Sequence, residues 1–368
     1  MRPSPTPSEG NGVHATAITR RNARPHSSEK GRPKNSPTMA EVAAVAGVSH
    51  QTVSRVINGF PGVRPQTREK VQAAVDQLGY RRNLAARALV TRQSRLIGVI
   101  AVGSFLYGPT STLASLERAA RDHSYLTLIA TIAETSDEQF SAALDEFLER
   151  SVEAIIVIAS RESLVWFAGS LDLDIPLIIV GPRPADLDQL TCLSVDQTAG
   201  AELAVTHLAE LGHRDVTLLA GPANWVDAQR RFDGALTQSE MLGIQPRIAR
   251  GDWSPGSGYA AGVKIAQLQP EARPTAVFCA NDHMALGLLA AFHAHRISVP
   301  DEISVIGFDD LPGSGFYFPA LTTIHQDFDA LGTKVIKAAL AMISGATPDT
   351  DPVPPKLVKR ESTAAPRS

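Results

Sequence analysis

The sequence predicts an α/β protein in two parts, a small all-α head of helix-turn-helix type followed by a body of two lobes, each a sheet covered by helices. Three observations predict it. First, residues 1–95 carry 16 Lys and Arg against 5 Asp and Glu, whereas residues 96–368 carry 19 against 33; a basic head on an acidic body suits a head that meets a polyanion. Second, three short helical patterns follow Thr38, with a glycine between the first two. Third, from Leu96 onward short β-rich runs alternate with amphipathic stretches, the pattern of parallel strands buried on both faces.

Residues 1–37 are rich in Pro, Ser, Gly, Arg and Lys and lack an apolar pattern. They read as a disordered basic tail, or as the product of a misassigned start with Met39 close to the true one. Thr38-Met39-Ala40-Glu41 has capping-box spacing, with Val42, Val45 and Ala46 as an apolar stripe behind it. Gly47 suits a left-handed turn, Val48 a core plug and Ser49 the cap of a second helix, His50 to Asn58, closed by Gly59. Arg64 and Pro65 open a third helix with Val71, Ala74, Val75 and Leu78 on one face and Gly79 after it. Asn83 to Val90 holds good helix formers but is too short to stand alone in water. The expected strands of the body are 96–102, 125–130, 154–159, 176–180, 216–219, 276–279 and 304–308. Seven such units are more than one sheet takes comfortably, so two lobes are expected, with ligands beyond the carboxyl ends of the strands.

Composition excludes several classes. At 43% apolar and 20% charged residues the chain is globular, and no apolar run approaches the ~20 residues of a membrane span. The first 37 residues contain no apolar signal segment, so a cytoplasmic protein is expected. Cys192 and Cys279 fit no metal-ligand spacing and read as reduced thiols. There is no GxGxxG after the first strand, no P-loop, no HExxH and no G-x-S-x-G elbow, so neither an enzyme nor a cofactor is expected.

The run Thr38 to Gly59, with Thr67-Arg68-Glu69-Lys70-Val71, Leu78-Gly79-Tyr80 and Asn83 to Leu89, closely resembles the DNA-reading head of the lac repressor (LacI/GalR) family. The resemblance continues through Leu211-Gly212-His213, Leu219-Ala220-Gly221-Pro222, Gly251-Asp252-Trp253-Ser254, Ala280-Asn281-Asp282, residues 303–310 and 321–328, and Leu357-Val358-Lys359-Arg360. Many matches in the second half are similar to the lac repressor itself. The resemblance implies a body like that of periplasmic sugar-binding proteins, with two Rossmann-like lobes and the chain crossing between them near Asp196, His325 and Val353. The expected organisation is a tail over 1–37, a DNA-binding domain over 38–82, a hinge helix and linker over 83–95, and an effector-binding and dimerisation domain over 96–368. Lobe 1 is placed at about 96–195 and 326–352, lobe 2 at about 196–325 and 353–362.

A recognition helix must send polar side chains into the major groove, where Gln pairs adenine and Arg pairs guanine. The resemblance gives that role to His50, Gln51 and Arg55, with phosphate contact as the alternative for His50. Thr38, Ser49, Thr52, Ser54 and Asn58 read as phosphate-contacting or capping residues. Leu89 matches the leucine that wedges into the minor groove, while Asn83 and the small Ala86 belong to the hinge helix.

For the effector, the resemblance points to Arg231 as the grip on sugar hydroxyls or a carboxylate, an interlobe salt bridge being its alternative. Asp309 follows an expected strand and could accept sugar hydroxyls; Asn281 could face the ligand or simply cap a helix. Trp253 offers a face for a sugar ring, or is a core residue. Gln326 sits at a crossing and could sense closure. One departure stands out: Gly181-Pro182-Arg183 replaces the aspartate that the lac repressor carries after this strand, so Arg183 enters the list and β-galactoside specificity is in doubt. The expected partners are double-stranded operator DNA, a small effector of sugar or galactoside type, and a second copy of the chain. The lac repressor's C-terminal heptad helix has no counterpart, so a dimer is expected. Repression relieved by the effector is the default; corepressor action with a non-sugar effector, or a sugar-transport protein, are the alternatives.

Overall fold

A computed structural model describes residues 37–81, 93–102, 106–132, 136–159, 161–183 and 189–367. The chain divides into two compact units between residues 83 and 84. The expected tail and the hinge residues Asn83, Ala86 and Leu89 lie outside the described residues.

The first unit is three helices, α1 (Met39–Ala46), α2 (His50–Ile57) and α3 (Pro65–Leu78). The capping box at Thr38 forms: the Glu41 amide donates to Thr38 Oγ1 at 3.3 Å, and the Thr38 amide donates to the Glu41 carboxylate at 2.6 Å. Gly47 ends α1 at φ 64°, a left-handed conformation that a residue without Cβ adopts freely. Pro65 opens α3, where its missing N–H costs nothing. Val42, Ala43, Ala46, Val53, Val56, Val71 and Ala74 are buried together. One expected core residue differs. Val45 is 47% exposed and Ala43 is buried in its place, because the face that packs on the other helices is turned one residue along from the stripe read in the sequence.

In the second unit, the first sheet comprises β1 (Leu96–Val102), β2 (Leu126–Ile132), β3 (Ala154–Ile158), β4 (Leu177–Val180) and β5 (Thr191–Leu193), all parallel in the order β2-β1-β3-β4-β5. Helices α4 (Tyr107–Asp122), α5 (Asp137–Glu149) and α6 (Glu162–Gly169) connect the strands. The second sheet, ordered β7-β6-β8-β9, contains β6 (Val216–Ala220), β7 (Arg247–Arg250), β8 (Ala276–Cys279) and β9 (Ser304–Ile306). Its helices are α7 (Gln197–Glu210), α8 (Val226–Met241), α9 (Pro255–Ala266) and α10 (Asp282–Ala294). The fully buried runs Ala154–Ile158 and Val216–Ala220 are the centres of the two sheets.

Two strands were not legible as apolar runs. β7 lies at a sheet edge and is largely exposed, with Arg247 paired to Asp215 at 2.6 Å; β5 is only three residues long. The expected strand 304–308 stops at Ile306. Beyond it the chain leaves the sheet neighbour and bonds instead to the segment containing β10 (Thr323–His325), with the Gly307 amide donating to Thr322 O and the Asp309 amide to Ile324 O.

The chain passes between the lobes three times. After β5, the Asp196 amide donates to Val353 O and the Val353 amide to Ser194 O, each at 2.9 Å, so two crossings run side by side. After β10, helix α11 (Phe328–Ile343) returns to the first sheet, burying Leu331, Val335, Ile336 and Ala339 against Ile97, Leu116 and Ile178. Strand β11 (Lys356–Val358) then pairs antiparallel with β10, and Ser362 closes onto β9 through Val305. Cys192 and Cys279 are both buried and unpaired. No described helix is long and apolar enough to cross a membrane.

Candidate nucleic-acid interface and effector cleft

In the first unit, Ser49 caps α2, its hydroxyl accepting the Thr52 amide at 3.1 Å and contacting the Thr52 hydroxyl at 2.9 Å. That cap leaves the first turn of α2 open on the side away from Val53 and Val56. His50, Gln51 and Arg55 are all exposed there. Ser54 and Asn58 are joined by a 3.1 Å hydrogen bond along the same helix. Thr38 does its visible work within its own capping box.

In the second unit, both sheets present their switch points to one cleft. In the first sheet β1 lies between β2 and β3, and in the second β6 lies between β7 and β8, so the residues just after β6, β8 and β9 converge where ligands of such sheets bind. Trp253, Asn281 and Asp309 share a cavity with Tyr107, Trp225, Asp227, Arg231 and His283. An adjoining cavity is lined by Gln326, Gln197, Gly181, Asp227 and Arg231. The lobes touch across this cleft: Arg161 and Trp225 form a β-bridge, and Arg230 donates to the Arg183 carbonyl at 3.1 Å.

At the centre of the cleft is a closed ring of four buried side chains. Arg231 donates through Nε to Gln197 Oε1 at 2.8 Å and through Nη1 to Asp309 Oδ1 at 3.2 Å. Gln326 donates to the same Asp309 oxygen at 2.7 Å, and Gln197 donates to Gln326 Oε1 at 2.8 Å. Arg231 also donates to Ala280 O and lies 3.9 Å from the centroid of Phe308. Every member is at most 6% exposed, so charge and hydrogen-bond valence are satisfied internally, as burial demands. Burial pushes the Asp309 carboxyl up, while Arg231 and Gln326 oppose that shift. Asp309 sits at φ 108°, a conformation rare for a residue with a Cβ. Its neighbour Asp310 pins the loop through Arg360 at 2.6 Å and His325 at 3.0 Å.

Trp253 is 5% exposed, with its backbone at φ 74°. Asn281 holds that conformation: its Nδ2 donates to Trp253 O at 3.1 Å while its Oδ1 caps α10 by accepting the Met284 amide at 2.9 Å. The indole passes over Gly221, where an added Cβ would lie 2.4 Å from the ring, so only glycine admits this packing. Trp225 meets Trp253 edge to face at 6.0 Å.

The structure thus brings together Arg231, Asp309, Gln326, Trp253 and Asn281. Arg183 is exposed and lines a neighbouring pocket with Cys192, Arg230 and Thr350, which shares Ser194, Val195 and Gln197 with the cleft cavity. Gly181 is what reaches the cleft, and two residues further the chain has already turned away. Residues that sequence reasoning missed are Gln197, Trp225, Asp227 and His283. Gln197 adjoins the crossing at Asp196 and could have been flagged by that position. Asp227 lies one helical turn before Arg231, a spacing that places both on one face of α8. Behind the cleft, Asp282 is fully buried, accepting from the Leu311 amide, Ser314 and Thr323; burial and the nearby Asp309 carboxylate push it up to about 7.

The model of bacterial regulatory proteins of the lacI family matches residues 38–83, and that of a periplasmic binding protein-like domain matches residues 205–363. The lactose operon repressor of Escherichia coli strain K12 is 34% identical over 336 residues, covering 90% of this chain and 92% of the relative. This chain belongs to the LacI family. The HTH-type transcriptional repressor PurR of Actinobacillus pleuropneumoniae is 32% identical over 338 residues, covering 88% of the chain and 98% of the relative. Among solved structures, the lac repressor dimer bound to operator and the anti-inducer ONPF superposes with a TM-score of 0.79 at 33% identity, over 89% of this chain and 99% of that one. A complex of the regulator CelR with cellobiose gives 0.65 at 25% identity, over 89% and 99%. As a LacI-family member, the chain is a DNA-binding transcriptional regulator and not an enzyme.

Proposed function

We propose that this LacI-family regulator is a repressor that binds a palindromic operator as a homodimer and leaves it when a small sugar-type effector enters the cleft. In this reading His50, Gln51 and Arg55 contact base edges, and Ser49, Thr52, Ser54, Asn58 and Thr38 lie along the phosphates. Arg231, Asp309 and Trp253 form the effector site, with Asn281 holding Trp253 and Gln326 reporting closure. The observation that carries the effector half is the buried ring Arg231–Asp309–Gln326–Gln197. Gln197 and Gln326 adjoin the crossings at Asp196 and His325, so a ligand that displaces either partner of Arg231 acts directly on the strands joining the lobes. Phe316 and Phe318, 90% and 89% exposed in the second lobe, belong to the protomer interface, where such surface is covered.

Footprinting of upstream DNA at stated salt, titrated with neutral sugars, tests the reading. Protection of a palindrome that one sugar abolishes supports it; protection that no compound alters refutes the effector half. A second reading, corepression by a non-sugar effector with an aromatic ring, is favoured by the Trp225–Trp253 pair at the cleft; there the compound would strengthen protection.

A further inference from the structure

The cleft contains one feature that the ring does not absorb. Asp227 lines both adjoining cavities, is only partly buried, and accepts no hydrogen bond from any described residue. Of the two cations within the next turn of the helix, Arg230 is bonded to the Arg183 carbonyl and Arg231 is already committed to Gln197, Ala280 and Asp309. Among the described residues lining the two cavities, Arg231 and Asp309 offset each other and Asp227 remains as unbalanced negative charge; His283 is the other titratable side chain there besides Tyr107. A second unused group belongs to a residue that lines one of these cavities. Trp253 Nε1 is buried without a hydrogen-bond partner among the described residues, which is rare for an indole N–H. Leu106 from the first lobe packs against the cluster containing Trp253, so the indole becomes reachable as the lobes part.

We propose that Asp227 is the specificity determinant of the effector site, selecting a neutral or cationic ligand that donates a hydroxyl or ammonium hydrogen to its carboxylate and accepts one from Trp253 Nε1. Phosphorylated and carboxylated effectors are rejected, because Arg231 and Asp309 offset each other in the described lining and Asp227 repels them. The inference rests on the cleft being the effector site. Burial raises the Asp227 pKa while Arg231 lowers it, so the proton balance at this carboxyl responds to what sits beside it.

The test is calorimetric and thermal titration of the full-length chain with matched probes: galactose, galactosamine and galactose 6-phosphate, their glucose counterparts, and hypoxanthine with its 5′-monophosphate. At least one neutral or amino compound is expected to bind, and its phosphorylated counterpart to bind at least tenfold more weakly. Asp227→Asn is expected to weaken the binder about tenfold and to narrow its gap to the phosphorylated form. Trp253→Phe removes the indole donor together with part of the ring; it is expected to lower the melting temperature through the cavity left over Gly221 and to weaken the binder about fivefold. A merely structural indole would lower that temperature while leaving the binder's affinity, measured below the transition, unchanged. Tightest binding by a phosphorylated probe, an unaltered preference in Asp227→Asn, or no binding by any probe overturns the proposal. A compound that releases operator equally from wild type and Asp227→Asn sinks the charge selection alone, whereas binding that leaves operator occupancy untouched sinks the effector reading.

Discussion

Replacing Asp309 by alanine removes two interactions at once, the 3.2 Å ion pair with Arg231 and the 2.7 Å hydrogen bond from Gln326. Arg231 is 5% exposed, so its cation cannot turn to water and is left uncompensated. Breaking a buried pair in this way costs about 3–5 kcal/mol, which for a domain of this size lowers the melting temperature on the order of 10 °C. The readout is clean: the three tryptophans, Trp166, Trp225 and Trp253, all lie in the second unit, so urea unfolding followed by intrinsic fluorescence reports on that unit. The double variant Arg231→Met with Asp309→Leu removes the orphaned charge and is expected to recover a large part of the loss. Effector response should vanish in both variants, whereas operator binding at low temperature should persist. A loss below about 1 kcal/mol for Asp309→Ala, or a double variant less stable than the single, would refute the claim that the ring is coupled.

The head offers two simpler tests. Arg55→Ala should weaken operator binding by about 1–3 kcal/mol and relax preference at one base position, read by mobility shift on single-base operator variants; uniform weakening across sequences would reassign Arg55 to phosphate. Thr38→Ala should remove the capping box and destabilise α1 by about 0.5–2 kcal/mol, seen as faster amide exchange over residues 39–46; unchanged protection would show that the cap contributes nothing. The third test is pH. A folded carboxyl pushed up to about 7 from 3.8, as for Asp282, means the native state holds the proton that the unfolded chain releases. Stability from this group is therefore greatest below about pH 4 and falls as pH rises toward 7, on the order of 4 kcal/mol in all. His207 and His213, kept neutral chiefly by burial, act oppositely as pH falls below 6.5. The difference between wild type and Asp282→Asn isolates the carboxyl: urea midpoints at pH 5 and 8 should diverge more in wild type, and parallel behaviour would contradict the assignment.

The sequence by itself carried whatever depends on neighbours along the chain. The Thr38–Glu41 capping box, the left-handed Gly47, the Ser49 cap and the Pro65 start are local chemistry, and the structure shows each. The central strands were legible for the same reason, since a segment buried on both faces must be apolar throughout. Tertiary structure decided what depends on distant partners. Which face of α1 packs was settled by α2 and α3, which bury Ala43 and leave Val45 out. Edge strand β7 has no apolar pattern because only one neighbour requires it to be a strand. The cleft shows the same division. Arg231, Asp309 and Gln326 were legible as candidates, but their closure into a ring through Gln197 joins residues 34, 78, 17 and 129 positions apart. Arg183 lines the neighbouring pocket and not the cleft cavities themselves, because a side chain's direction two residues past a strand depends on how the chain turns there. Asp227 passed unnoticed because a charged residue on a helix face is ordinary until folding places it in a cavity with no hydrogen bond from any described residue.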